Sequence, residues 1–236
     1  MPTVHGVSVW LAALLLMVPA GAGAQTAPRG PGCEPAMLVF DATGSMLGTR
    51  ITQARAAVRR VMPALAAKRA VGLVTYGGTA ETVACSSIRV RRMPAPTNGD
   101  EILREIDSIT PSGRTPLTEA VSTAVNVLSG IAPAGVVVLV TDGEENCGGD
   151  PCALGRQLRD RGSRVTVHVI GFRLRIEEGS ALSCLANQTG GQFAEVDDTD
   201  SLSAALDTSL GCTPISMLRR PVTRHSSLDE RTARRR

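Results

Sequence analysis

"GVVVLVTDGEEN", residues 135–146, is the stretch on which the fold turns. From Gly135 to Thr141 it is apolar almost throughout, with no alternation of polar and apolar residues. A strand with one wet face alternates; an unbroken β-branched run belongs to a strand buried on both faces, as in the middle of a parallel sheet covered by helices. The run ends at Asp142-Gly143, so a carboxylate stands at the strand's exit. Composition points the same way. The chain has 236 residues, 43% hydrophobic and only 2% aromatic, so its core must be built from Val, Leu, Ile and Ala.

Strand and helix signals alternate on both sides of this run. Toward the N-terminus, Ala36 to Phe40 reads as a strand, and Ile51, Ala54, Val58, Val61 and Leu65 form the apolar stripe of a helix. "AVGLVTYG" (70–77) and "TVACSSIRV" (82–90) read as neighbouring strands at one edge. Asp100 to Ile109 is a short helix that stops before Pro111, and Leu117, Ala120, Val121, Ala124 and Leu128 mark another, closed by Gly130. Beyond the central run, Leu154 to Arg161 is helical, Arg164 to Phe172 a strand, Ala181 to Thr189 a helix, "GQFAEV" (191–196) a last strand and Ser201 to Leu210 the closing helix. Repeated β–α alternation predicts an α/β fold, a doubly wound, Rossmann-like open sheet, mostly parallel, with helices on both faces.

In such sheets ligands bind beyond the carboxyl ends of the strands, where strand order reverses. "FDATGSM" (40–46) leaves the first strand there, and its Asp41, Thr43 and Ser45 alternate around Gly44. Asp142 leaves the central strand at the same rim, and Thr115 in "GRTPLTEA" opens a helix nearby. Carboxylate and hydroxyl oxygens without thiolate or imidazole suit a hard divalent cation, Mg²⁺ before Mn²⁺ or Ca²⁺.

At these residues the chain resembles the von Willebrand factor A (VWA) domain family, whose metal-ion-dependent adhesion site is written D-x-S-x-S, then a threonine, then an aspartate. The resemblance covers Glu34 to Cys212 and maps the metal ligands onto Asp41, Thr43, Ser45, Thr115 and Asp142. "DATGSM", "TPLTEA" and "TDGEENCGGDPC" look like bacterial secreted members. Thr43 replaces the first serine, keeping the hydroxyl but adding a methyl. By resemblance, Ser45 is a better direct ligand than Thr43, and Asp142 acts through water. The family implies that the metal keeps a coordination position open for an acidic side chain of a protein partner. The implied function is adhesion or scaffold assembly, without catalysis.

Duller readings compete at single positions. Thr115 before Pro116 has the form of a helix N-cap, Asp142-Gly143 of a turn, and Asp150 before Pro151 of another N-cap. Glu144 and Glu145 read as solvated rim charges, and His168 as a packed or hydrogen-bonded strand residue. Two other functions come from different classes: a disulfide-stapled structural module with a vestigial metal site, and a serine hydrolase using Ser45. Against the hydrolase, there is no G-x-S-x-G elbow and the one candidate base, His168, sits mid-strand. No G-x-x-x-x-G-K-[ST] loop or G-x-G-x-x-G turn supports nucleotide chemistry.

Residues 1–24 contain no Lys, Arg, Asp or Glu and end in "AGA", the pattern of a secretory signal peptide cleaved before Gln25, with an uncleaved N-terminal anchor as the alternative. A Pro- and Gly-containing linker follows over 25–32. The six cysteines all lie after it, as expected of a periplasmic or secreted protein. They permit 15 pairings; Cys147 with Cys152 across "CGGDPC", Cys33 with Cys212 bracketing the domain, and Cys85 with Cys184 are expected. Residues 33–212 hold 17 Lys and Arg against 20 Asp and Glu, a net of −3. The tail over 213–236 carries seven arginines against Asp229 and Glu230. The basic character belongs to that tail, which reads as disordered and solvated, so nucleic acid is not the expected partner.

Overall fold

The computed structural model describes residues 33–78, 85–143, 145–175 and 179–212. The expected signal peptide, linker and basic tail lie outside the described residues. Among the described residues no helix is long and apolar enough to cross a membrane.

Six strands form one sheet: β1 (Ala36–Ala42), β2 (Val71–Gly77), β3 (Ile88–Ala95), β4 (Gly135–Thr141), β5 (Val165–Phe172) and β6 (Phe193–Val196). Their order across the sheet is β3-β2-β1-β4-β5-β6. All pairs are parallel except β2 with β3. Between them run α1 (Thr49–Ala66), α2 (Gly99–Ser108), α3 (Leu117–Ile131), α4 (Pro151–Asp160), α5 (Gly179–Gln188) and α6 (Thr199–Leu210).

The continuous apolar run of β4 has the explanation its sequence predicts. Val136, Val138 and Val140 pack with α1, α2 and α6 on one face, while Val137 and Leu139 pack with α3, α4 and α5 on the other. Every residue of β4 is buried. β1 is buried along its whole length as well, and it is the neighbour of β4, with Phe40 level with Val140. Strand order reverses between these two, so the crevice that this topology opens lies beyond Asp41 and Thr141.

One strand is displaced from its expected position. The stretch read as Thr82 to Val90 forms strand only from Ile88 and runs on to Ala95; residues 82–84 lie outside the described residues. β3 is an edge strand with exposed Arg89, Val90 and Met93, and Arg91, Arg92 and Pro94 along it. Charge and proline blunt an open edge, and they also erase the hydrophobic pattern by which a strand is read. Arg92 is paired instead with Glu105 of α2 at 2.7 Å.

Of the expected disulfides, Cys33–Cys212 is present, with Cα atoms 5.9 Å apart. The other two are exchanged: Cys85 joins Cys147, and Cys152 joins Cys184, not Cys147–Cys152 and Cys85–Cys184. Helix geometry is the reason. Asp150 caps α4 by accepting from the Ala153 amide at 2.9 Å, with Pro151 as first helical residue. Cys152 therefore lies in the first turn of a helix packed closely against α5, where Cys184 sits. That packing is tight enough that a Cβ on Gly155 would come within 2.9 Å of Gln188. Cys147, left outside the helix, meets Cys85 at the entry to β3.

Candidate metal centre at the sheet rim

Three loops meet at the carboxyl ends of β1 and β4. After Asp41 the chain makes one tight helical turn over Gly44–Met46, pinned by the fully buried Met46. The loop after α2 is stitched to it by backbone: the Ser112 amide donates to Ala42 O at 2.9 Å, and the Gly44 amide to Gly113 O at 3.2 Å. The end of β2 joins them through Gly77, whose φ is +78°; a Cβ there would lie 2.7 Å from the carbonyl oxygens of both Ala42 and Ser112. Glycine is thus required for β2 to approach so closely. The third loop follows Asp142, and its Asn146 donates from its amide to Thr115 O at 3.2 Å while its side chain accepts from the Thr115 amide at 2.8 Å.

The side chains form a chain of oxygens. Asp41, fully buried, accepts four hydrogen bonds: Oδ1 from the Thr43 amide at 2.8 Å and its hydroxyl at 2.6 Å, Oδ2 from Tyr76 and Thr141, each at 2.8 Å. Thr43 Oγ1 lies 3.0 Å from Ser45 Oγ, and Ser45 donates to Asp142 Oδ1 at 2.7 Å. Thr43 is 1% exposed, whereas Ser45 is open to solvent. Asp142 is buried, its Oδ2 has no hydrogen bond among the described residues, and Arg50 Nε stands 3.5 Å from it.

Burial sets the electrostatics. Desolvation raises the Asp41 carboxyl above its ordinary value, opposed by the bonds from Thr43, Tyr76 and Thr141. Asp142 is pushed up to about 6, first by burial and then by the nearby Asp41 charge, against the pull of Ser45 and Arg50. Tyr76 is raised well above a normal phenol by burial and by Asp41. Two carboxylates thus share a poorly hydrated rim.

Asp41, Thr43, Ser45 and Asp142 therefore come together as one connected set. Thr115 reaches the same rim through its backbone ties, and its duller reading is corrected. It does not cap α3: Pro116 holds the N-cap position and makes no side-chain cap bond. The first turn is capped from outside by Glu145, whose carboxylate accepts from the Thr118 amide and the Cys147 amide, both at 2.8 Å. Glu145 is consequently a half-buried capping group, not the solvated rim charge expected of it; Glu144 lies outside the described residues. His168 is half-buried and accepts at Nδ1 from the Gln192 amide at 3.2 Å, as a hydrogen-bonded strand residue. It is level with Val138, four residues back along the sheet from Asp142, or roughly 13 Å at the rise of a strand, which separates it from Ser45.

Three participants escaped the reading of the sequence: Tyr76, Thr141 and Arg50. Tyr76 is the chain's single tyrosine and stands at a strand exit before glycine, a usable signal. Thr141 immediately precedes Asp142. Arg50 is one arginine among many and gives none.

Among the described residues no group of three or more His, Cys, Asp or Glu side chains is placed to hold a metal; this rim brings together two carboxylates and the hydroxyls of Thr43 and Ser45. Comparison with known proteins agrees with the architecture. The model of the von Willebrand factor type A domain matches residues 37–208. The uncharacterized protein YwmC of Bacillus subtilis is 26% identical over 191 residues, 75% of this chain and 83% of that protein. Among solved structures, the conserved hypothetical protein BatB from Bacteroides thetaiotaomicron aligns with a TM-score of 0.57 at 16% identity, over 75% of this chain and 96% of that one. The pilus adhesin SpaC from Lactobacillus rhamnosus GG aligns with a TM-score of 0.59 at 14% identity, over 77% of this chain and 31% of that one. With its family model matched over most of its length and the sheet order and rim loops described above, the chain belongs to the von Willebrand factor type A domain family.

Proposed function

We propose that this protein is an exported, non-enzymatic binding module that holds a divalent cation at Asp41, Thr43, Ser45, Thr115 and Asp142 and offers it to an acidic side chain of a protein partner. One observation carries the reading. From Asp41 through Thr43 and Ser45 to Asp142 there are three close oxygen–oxygen contacts, of 2.6, 3.0 and 2.7 Å. With both carboxylates ionised, only two hydroxyl hydrogens exist to fill them. A set of oxygens short of protons, with an unbonded buried carboxylate oxygen at its end, fits a hard cation such as Mg²⁺ in number and kind of donor. Bound there, the cation would neutralise the two carboxylates and supply an electrophilic centre for a partner's carboxylate.

Each residue of the chain has a distinct part. Tyr76 and Thr141 fix Asp41 so that it orients Thr43; exposed Ser45 is the point a partner meets first. Three disulfides among the described residues suit an oxidising compartment, and the likeness to a pilus adhesin supports a role in attachment or assembly outside the cytoplasm.

The test is isothermal titration of the chain from Gln25 to Arg236 with Mg²⁺ and Mn²⁺. Saturable one-site binding is expected, abolished in Asp142→Ala and weakened at least tenfold in Ser45→Ala. Asp41→Ala is expected to abolish binding too, but also to destabilise the domain by about 1–3 kcal/mol, because it leaves the buried Tyr76 hydroxyl and Thr43 amide without their acceptor. Binding unchanged in Asp142→Ala would remove the proposal and leave the disulfide-stapled module.

A further inference from the structure

Asp142 already has a cation beside it. Arg50 is the second residue of α1. Its Nη1 donates to the Ser45 carbonyl at 3.1 Å and its Nε stands 3.5 Å from Asp142 Oδ2. The second distance is too long for a hydrogen bond between these groups, so Oδ2 is held by charge alone. The pairing is lopsided: the Asp142 side chain is fully buried, while that of Arg50 is 38% exposed. Arg50 also sits at the N-terminal end of a helix with no acidic residue in its first turn, where the helix dipole disfavours positive charge. An arginine in an unfavourable position, fastened among the described residues by one hydrogen bond and more than a third exposed, is readily displaced.

We infer that Arg50 is a tethered counter-cation: in the metal-free protein its guanidinium neutralises Asp142, and a divalent cation binds the rim by displacing it. The inference rests on the metal-binding reading and adds to it what the cation must compete with. It assigns Arg50 a positioning role, setting affinity without being a ligand. It also accounts for how two carboxylates persist at a buried rim before any metal arrives.

The full chain, expressed for export, is titrated with Mg²⁺ as wild type, as Arg50→Gln and as Arg114→Gln. Arg114 is an exposed arginine beside Thr115 and controls for a mere change in net charge. Removing the competitor is expected to tighten Mg²⁺ binding three- to tenfold in Arg50→Gln, with Arg114→Gln within twofold of wild type. Saturable binding gained by Arg50→Gln where wild type shows none would support the same conclusion. Equal or weaker binding by Arg50→Gln beside a binding wild type overturns the counter-cation and leaves the metal site standing. An equal gain in Arg114→Gln reduces the effect to net charge and overturns it as well. If neither wild type nor Arg50→Gln binds, the metal reading fails and this inference falls with it.

Discussion

Asp142 carries a charge that its surroundings disfavour. Its carboxyl titrates at about 6 in the folded chain against an ordinary 3.8, so the folded state holds this proton more tightly than the unfolded one. The sign follows: below the ordinary value both states hold the proton and stability does not change, and as pH rises from there to about 6 the metal-free protein progressively loses stability, by up to about 3 kcal/mol. Melting in EDTA between pH 4.5 and 7.5 is expected to show this loss in wild type, while Asp142→Asn shows a flatter profile and a higher melting temperature at pH 7.5. Profiles of equal slope would mean that the carboxylate is not strained. The residues of this pair were legible because their spacing survives in one dimension: a carboxylate closing an apolar run, twice, about a hundred residues apart. What they touch was not legible. Tyr76 and Arg50 enter from elements that neither run predicts, and only the folded sheet brings them within reach.

Helix α3 is capped by a residue from another loop. Thr115-Pro116 has the local form of a cap, yet Glu145, 27 residues away from Thr118 in sequence, accepts from the amide instead. Glu145→Ala is expected to cost about 1–2 kcal/mol in urea denaturation, in the range of lost helix caps, and to speed hydrogen exchange at the Thr118 amide. Exchange there at the wild-type rate would mean the cap is ornamental. The same contrast explains which elements the sequence declared. β1 and β4 are central, and burial on both faces writes itself as unbroken apolar residues. β3 is at the edge, where Arg89 and Pro94 serve to deter pairing and leave no strand pattern. The cysteine pairs fall between: Cys33 with Cys212 follows from bracketing the domain, whereas Cys152 is committed to α5 by a helix turn that spacing alone does not reveal.

At the scale of the molecule, β1 and α6 are the first and last elements among the described residues, and the disulfide Cys33–Cys212 closes them into a ring. Its loop, with 179 residues of separation, is the longest of the three, and chain entropy assigns it the largest effect. Replacing Cys33 and Cys212 by alanine is expected to destabilise by up to about 5 kcal/mol, against about 4 kcal/mol for Cys152 with Cys184 across 32 residues. Chemical denaturation of the two double variants under oxidising conditions checks the order. The ring has a mechanical meaning too. Tension applied to the chain on either side of the domain passes from Cys33 straight into Cys212, bypassing the ladder of the sheet, so the rim would keep its shape under load that would otherwise peel β1 away. Pulled as single molecules by their two ends, oxidised chains should stretch without releasing the domain. Reduced chains, with the other bridges open as well, should pay out roughly 60 nm of hidden length.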